Sequence, residues 1–212
     1  MIKRIIASLV VLLGIQCSAQ SVSGKIDGYE YVDLGLPSGL KWATMNVGAS
    51  SPEECGDYFA WGEVKTKEEY DKFNSVTYGK SIDELQADGV IDSNGNLNPY
   101  YDAATQKWGK AWRMPTWMDF YELLIRCRWE WTTFKGKDGY KVSSKVNDNW
   151  IFFPDDSKSK GNGYYWSSTA SVNNEAYLLY FYHLKINNSY RYSYNFDNDD
   201  RYQDNGVRPV TK

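Results

Sequence analysis

Aromatic and polar residues alternate near the C-terminus of this chain of 212 residues. From Tyr190 to Phe196 every second residue is aromatic, and the run from Tyr177 to Tyr182 also fits a two-residue period. Successive side chains of a β-strand point to opposite faces of its sheet, so both runs are predicted to be strands. Asn187-Asn188 lies between them and suits the positive φ angles of a tight turn. The pattern therefore predicts a β-hairpin.

Short strand-like segments also occupy much of the remaining chain, whereas residues 64–107 are polar and are predicted to form a long loop region with little helix. One amphipathic helix is predicted over residues 116–124, with Thr116 as its N-cap. Many short strands with few helices predict an α+β domain. The other predicted strands are Tyr31 to Leu34, Leu40 to Thr44, Tyr58 to Trp61, Trp129 to Thr133, Tyr140 to Ser143, Trp150 to Phe153, Tyr165 to Ser168 and Val207 to Val210.

The N-terminus has the layout of an export signal. Lys3 and Arg4 precede an apolar run over residues 5–15, which is about half the roughly 20 residues that span a bilayer. Small residues follow, so a signal peptide is predicted over residues 1–19, with a lipid anchor at Cys17 as the alternative. We expect an exported protein, extracellular or at the cell surface, with the periplasm as a further location.

The remaining chain is expected to form a single domain. Residues 20–29 are mostly polar and are predicted to be a flexible lead-in to a domain over residues 30–212. No other stretch is long and apolar enough to cross a membrane. Two alternatives stay open for Cys55 and Cys127: a disulfide in an oxidising compartment, or two buried thiols that act as small hydrophobic residues.

Composition disfavours several classes of function. The formal net charge is −3, so the chain lacks the basic footprint of a nucleic-acid binder. One His and three Cys leave little material for a metal site or a His-dependent hydrolase. Aromatic residues reach 17%, and most of the Trp are predicted to build the core. The four Trp that lie in apolar segments are Trp42, Trp61, Trp112 and Trp166.

The stretch 173–205 has a biased composition. Of its 33 residues, seven are Asn, seven are Tyr, four are Asp and two are Ser. A Tyr-rich sheet explains this bias structurally, because cross-strand aromatic pairs stabilise a sheet by roughly 0.2–1 kcal/mol each. A recognition surface explains it functionally, because Tyr offers large contact area while Asn and Ser offer adaptable hydrogen bonds. We favour the second interpretation, since folding alone does not require so many polar residues beside the Tyr.

Five segments together resemble a known family. In order along the chain they are Tyr31 to Ala43, Gly56 to Glu63, Trp112 to Thr116, Tyr165 to Thr169 and Gly206 to Val210. They resemble the Fibrobacter succinogenes major paralogous domain of secreted bacterial proteins. Relatives of that family are similar to the C-type lectin-like fold, in the variant that formylglycine-generating enzymes use. The resemblance implies small twisted antiparallel sheets, one or two helices and long loops.

The resemblance also raises an enzymatic alternative, an oxidase on the formylglycine-generating scaffold. Those enzymes use two cysteines late in the chain, whereas residues 128–212 contain none here. Calcium-dependent lectins hold sugar through Glu-Pro-Asn or Gln-Pro-Asp, and both signatures are absent. We therefore predict that the protein is not an enzyme and needs no metal or cofactor. A structural component of a surface assembly is a further alternative.

The leading hypothesis is an exported binding module that recognises a carbohydrate or protein through its C-terminal surface. Asn, Tyr, Ser and Asp are also what adenine-rich codons become when their adenines are randomised. The chain thus resembles a target of a diversity-generating retroelement. The plainer alternative is that Tyr and Asn are common in this region of many relatives that are not diversified. The predicted ligand contacts are Tyr180, Tyr182, Tyr190, Tyr192, Tyr194, Asn195, Asp197, Asn198, Asp199 and Tyr202.

Overall fold

A computed structural model describes residues 19–186 and 189–212, and for residues 184–192 it describes no side chains. The predicted signal peptide, with Cys17, therefore lies outside the described residues apart from Ala19. The predicted turn at Asn187-Asn188 lies outside them as well. In the described part of the chain, no helix is both long and apolar enough to cross a membrane.

Three helices and twelve strands form within the described residues. The helices are α1 (Ile82–Ala87), α2 (Ala103–Trp108) and α3 (Trp117–Arg126). The strands are β1 (Gly24–Ile26), β2 (Tyr29–Asp33), β3 (Lys41–Ala43), β4 (Tyr58–Phe59), β5 (Cys127–Phe134), β6 (Lys137–Ser144), β7 (Trp150–Pro154), β8 (Asn162–Ala170), β9 (Glu175–Ile186), β10 (Ser189–Asp200), β11 (Asn205–Gly206) and β12 (Val210–Thr211).

The strands build three sheets, and the predicted α+β class is confirmed. One sheet has the order β1-β2-β3-β12, the central sheet has the order β10-β9-β8-β11-β4, and the third has the order β5-β6-β7. Pairing is antiparallel except between β11 and β8. The long β9–β10 hairpin forms one edge of the central sheet, as the alternating pattern predicts.

Helix α3 follows from its sequence. Thr116 caps it by accepting a hydrogen bond from the Asp119 amide, and the Asp119 carboxylate accepts one from the Thr116 amide in return. Phe120 and Leu123 lie on its buried face. The region 64–107, predicted to hold little helix, contains α1 and α2, because Ser81 and Asp102 each cap a short helical turn. The described residues thus contain three helices where one or two were expected.

The prediction of a flexible lead-in over residues 20–29 is wrong. Strand β1 lies in this segment and pairs with β2. Gln20 is buried, donates to the Thr44 carbonyl at 2.7 Å and accepts from the Phe152 amide at 2.7 Å. The mostly polar composition of residues 20–29 suggested a flexible segment. The polar side chain of Gln20, however, makes hydrogen bonds to main-chain groups inside the protein.

Two hydrophobic clusters contain residues from opposite faces of the central sheet. Trp166 and Leu178 belong to one cluster, while their chain neighbours Tyr165 and Leu179 belong to the other. Alternating strand residues thus serve both clusters. The four Trp predicted for the core are all buried: Trp42, Trp61, Trp112 and Trp166.

Of the two alternatives for Cys55 and Cys127, the disulfide does not form, and both residues carry free thiols. Cys127 opens β5 opposite Ser144 of β6, whereas Cys55 precedes β4 and donates to the Asp155 carbonyl at 3.2 Å. The two residues therefore lie at different places in the fold, Cys127 at the Ser144 end of β6 and Cys55 near Asp155 beyond the other end. Burial raises the pKa of the Cys127 thiol to about 11, so this thiol stays protonated and unreactive at neutral pH.

Candidate functional site

A groove of about 540 Å³ opens on the outer face of the central sheet, where β8, β9 and β10 lie side by side. Strand residues form its floor, the β7–β8 loop forms one wall, and the β10–β11 connection forms the other. We call it the sheet groove. Its lining residues are Asp156, Lys158, Tyr164, Leu178, Tyr180, Asp197, Asn198, Asp199, Gln203, Asp204 and Asn205.

A row of three tyrosines crosses this face. Tyr164 of β8 lies opposite Tyr180 of β9 in the strand register, and the two rings stack with centroids 5.0 Å apart. Tyr182 continues the row, with its ring centroid 5.9 Å from that of Tyr180. All three are half-buried, so each ring keeps surface for a ligand. Partial burial also raises the pKa of Tyr164 and Tyr180, and both phenols stay neutral at physiological pH.

Four carboxylates surround the tyrosine row, on Asp156, Asp197, Asp199 and Asp204. Asp197 accepts a hydrogen bond from the amide of residue 198 at 2.9 Å, and Asp199 accepts one from the amide of residue 200 at 2.8 Å. Each of these bonds uses the Oδ1 atom.

Lys158 is the one cation among the described lining residues, and its charge is already compensated. Its ammonium pairs with Asp204 and lies 4.3 Å from the centroid of the Tyr58 ring. The Tyr58 hydroxyl in turn donates to Asp156 at 2.9 Å. These contacts join the two walls of the groove and leave its net charge negative.

Asp199 is a partly buried carboxylate of the groove. Burial raises its pKa, and the neighbouring charges of Asp200 and Glu175 raise it further. The amide of Asp200 and the side chain of Asn205 act in the opposite direction. Burial destabilises the charged form of a carboxylate because it removes water. A cation that approaches the carboxylate stabilises this charged form again.

The end of β10 is anchored by Arg201, whose side chain is buried. Its guanidinium donates four hydrogen bonds, at 2.9 to 3.3 Å, to main-chain carbonyls. It also lies over the Trp61 ring, 5.4 Å from the centroid. This anchor fixes the residues that follow Asp199 and so holds one side of the groove. The accepting carbonyls belong to Thr77, Lys80, Ser171 and Glu175.

The structure brings about half of the predicted ligand contacts together. Tyr180, Asp197, Asn198 and Asp199 line the groove. Tyr182 extends the tyrosine row, and Asn195 lies opposite Tyr180 on the same face of the hairpin and is exposed. These six residues form one continuous surface.

Two of the other predicted contacts, Tyr194 and Tyr202, lie elsewhere. Tyr194 belongs to the inner face, where its ring stacks on Trp129 with centroids 5.0 Å apart. Tyr202 packs edge-on against Tyr78, with centroids 5.1 Å apart. Strand register sets Tyr192 opposite His183 and Tyr190 opposite Lys185, but the side chains of both tyrosines lie outside the described residues.

Several groove residues were not predicted from the sequence. Tyr164 could have been found, because it directly precedes Tyr165 and strand alternation sends these two neighbours to opposite faces. Asp156 and Lys158 were noticed only as a polar loop, since nothing local indicates which strand end a loop will face. Gln203, Asp204 and Asn205 fell within the biased stretch without being singled out.

The arrangement suits binding by stacking and charge. Among the described residues, no group of three or more His, Cys, Asp or Glu could hold a metal ion. His183 stacks on Trp131 with centroids 4.5 Å apart on the other face of the hairpin, and burial lowers its pKa. It therefore serves the packing of the inner face and not the groove.

Comparison with known proteins leaves the family undecided. No family model matches the chain, and no curated protein or solved structure matches it either.

Proposed function

We propose that the protein is an exported, non-catalytic binding module and that the sheet groove is its binding site. The observation that carries the proposal is the row of Tyr164, Tyr180 and Tyr182, which remains open to solvent between four carboxylates. Aromatic rings that are held by their neighbours offer contact area at a low cost in conformational entropy. The ligand is a carbohydrate or a protein at the cell exterior.

The scaffold in this proposal is the C-type lectin-like fold, to which the five sequence segments point. Three small sheets, short helices and long connections are compatible with it. Within this scaffold the groove lies on the C-terminal strands, in the stretch whose composition is biased.

Retroelement-driven diversification of this surface is part of the proposal. Asn, Tyr and Asp of the biased stretch line the groove, whereas Leu179 and Phe181 of the same stretch are fully buried. Diversification concentrated at the groove positions would therefore alter the ligand surface, while Leu179 and Phe181 keep their place in the core. Sequencing the locus in sister isolates tests this idea: substitutions spread evenly over the gene would contradict it.

A binding screen tests the site. The full chain and a Tyr180→Ala/Tyr182→Ala variant are applied to a glycan array and a protein array, with Tyr100→Ala as the control. Tyr100 is 74% exposed and lies outside the groove lining, so its loss should change nothing. We expect the wild type and the control to bind the same ligand and the double variant to lose it. A folded double variant that binds like the wild type would refute the proposal, as would a wild type that binds nothing on either array.

A further inference from the structure

The charge of the sheet groove narrows the class of ligand. Four carboxylates line it, while its one described cation, Lys158, pairs with Asp204 and lies over the Tyr58 ring. Three negative charges therefore remain without a cationic partner among the lining residues. Like charges repel within a shared cleft of reduced dielectric, so this groove disfavours acidic sugars and acidic peptides.

The position of the tyrosine row further restricts the class of ligand that the groove can bind. Tyr180 lies opposite Asn195 in the register, and Asp197 follows two residues along the same face. A π-surface and carboxylates thus adjoin one another along β9 and β10. A neutral sugar uses the rings but leaves the negative charge uncompensated, whereas a cation with an extended apolar stem uses both features.

Arginine fits this combination better than lysine. Its planar guanidinium stacks on aromatic rings, pairs with carboxylates through two parallel hydrogen bonds, and is less strongly hydrated than an ammonium. Both Asp197 and Asp199 already use Oδ1 for a main-chain amide, which holds each carboxylate in one orientation. An incoming guanidinium thus meets acceptors that are fixed in advance, so binding costs little ordering.

We propose that the sheet groove binds an exposed arginine side chain of a polypeptide ligand, with the guanidinium between the Tyr180 ring and the carboxylates of Asp197 and Asp199. This inference rests on the proposed function and assigns its ligand to the protein class. The aliphatic stem of the arginine lies along the tyrosine row, and the flanking peptide follows the open groove. Arginine is enriched among the residues that contribute most to binding at protein interfaces, so an arginine of a protein partner is a suitable occupant for this groove.

Calorimetric titration of the full chain tests the proposal with four probes. These are an acetylated and amidated Gly-Gly-Arg-Gly-Gly peptide, its citrulline and lysine counterparts, and chitobiose as a neutral sugar. Citrulline keeps the shape of arginine and removes its charge. We expect the arginine peptide to bind about tenfold more tightly than the citrulline peptide, since a hydrogen bond to a charged group is worth about twice a neutral one.

Matched variants locate the contact. Asp197→Asn/Asp199→Asn keeps both Oδ1 acceptors and removes the charge, and it should lower the affinity for arginine about tenfold while leaving the citrulline peptide unaffected. Tyr180→Ala should weaken both peptides. Asp148→Asn, an exposed carboxylate outside the lining, and Tyr100→Ala are controls that should match the wild type.

The outcomes separate this inference from the broader proposal. Equal affinity for the arginine and citrulline peptides, or no binding of either, overturns the arginine assignment. Chitobiose binding that depends on Tyr180 also overturns it, although the groove would then remain the binding site. An arginine peptide that binds wild type and all variants alike would show that its contact lies elsewhere on the protein.

Discussion

The two faces of the β9–β10 hairpin are both rich in aromatic residues, yet they differ in what surrounds the rings. On the inner face, Phe181 is fully buried and Tyr194 stacks on Trp129. On the outer face, the Tyr180 ring stacks on Tyr164 and lies beside the tilted ring of Tyr182, with carboxylates near them. The same residue type thus stabilises the fold on one face and, in the function we propose, forms a surface for a ligand on the other.

This difference teaches that composition does not assign a role to an individual tyrosine. The biased stretch 173–205 supplies rings to both faces, and strand parity decides which face each ring joins. A substitution on the inner face should therefore change stability, and a substitution on the outer face should change binding.

The largest expected effect is at Phe181. Its ring contacts Trp131 and Tyr140 and covers Gly163, where a side chain would collide with the ring. Phe181→Ala should lower the free energy of unfolding by about 3–5 kcal/mol, because it leaves a cavity between the sheets. Urea denaturation measures the change, with Phe181→Leu as a milder control. A loss below about 1 kcal/mol would contradict the role assigned to the inner face.

A smaller effect separates Tyr194 from Tyr182. Tyr194→Ala should cost about 2 kcal/mol, since it removes a stacked aromatic pair and part of the buried area. Tyr182→Ala should cost about 0.5 kcal/mol, as is usual for residues outside the core. Thermal unfolding of both variants tests the comparison. If the two costs were equal, the two faces would not differ in the way described.

The smallest expected effect concerns Asp199. Because burial raises the pKa of its carboxyl group, the folded state binds the proton more readily than the unfolded state does. Ionisation of Asp199 therefore costs stability at neutral pH, and this cost disappears as the pH falls through its folded pKa. Asp199→Asn should stabilise the protein by about 0.5 kcal/mol at pH 7, a small value because solvent partly screens the group.

Urea denaturation of the wild type and Asp199→Asn between pH 7 and pH 4 measures this difference, with Asp148→Asn as the control. The advantage of Asp199→Asn should shrink toward acidic pH, because the wild-type carboxyl group then becomes protonated as well. An advantage that grows toward acidic pH would contradict the direction of the shift.

Local patterns in the sequence predicted the elements of this fold well. The capping residues of α3 and the apolar positions Phe120 and Leu123 are set by neighbours in the chain, so they could be recognised without a structure. The β9–β10 hairpin was predictable for the same reason. The lead-in failed because Gln20 is held by Thr44 and Phe152, which are distant in sequence.

The candidate site was only half predictable, since a groove depends on segments that meet through tertiary structure. Asp197 and Asp199 were found from their own stretch, but Asp156 and Tyr164 reach the same place from the β7–β8 loop and from β8. Tyr194 was assigned to the ligand because alternation indicates two faces without saying which one the third sheet covers. Whether Cys55 and Cys127 pair could not be predicted for the same reason, because the pairing of two thiols depends on their distance in space.

The Arg201 anchor has a consequence for how this protein can change over evolutionary time. Each of its four acceptors is a main-chain oxygen, and every residue type supplies such an oxygen. The side chains at positions 77, 80, 171 and 175 are thus not the groups that the guanidinium recognises. Substitutions at positions 80 and 175, whose side chains reach solvent, can accumulate while the strand end keeps its place, whereas Thr77 and Ser171 are buried and are constrained by their own packing.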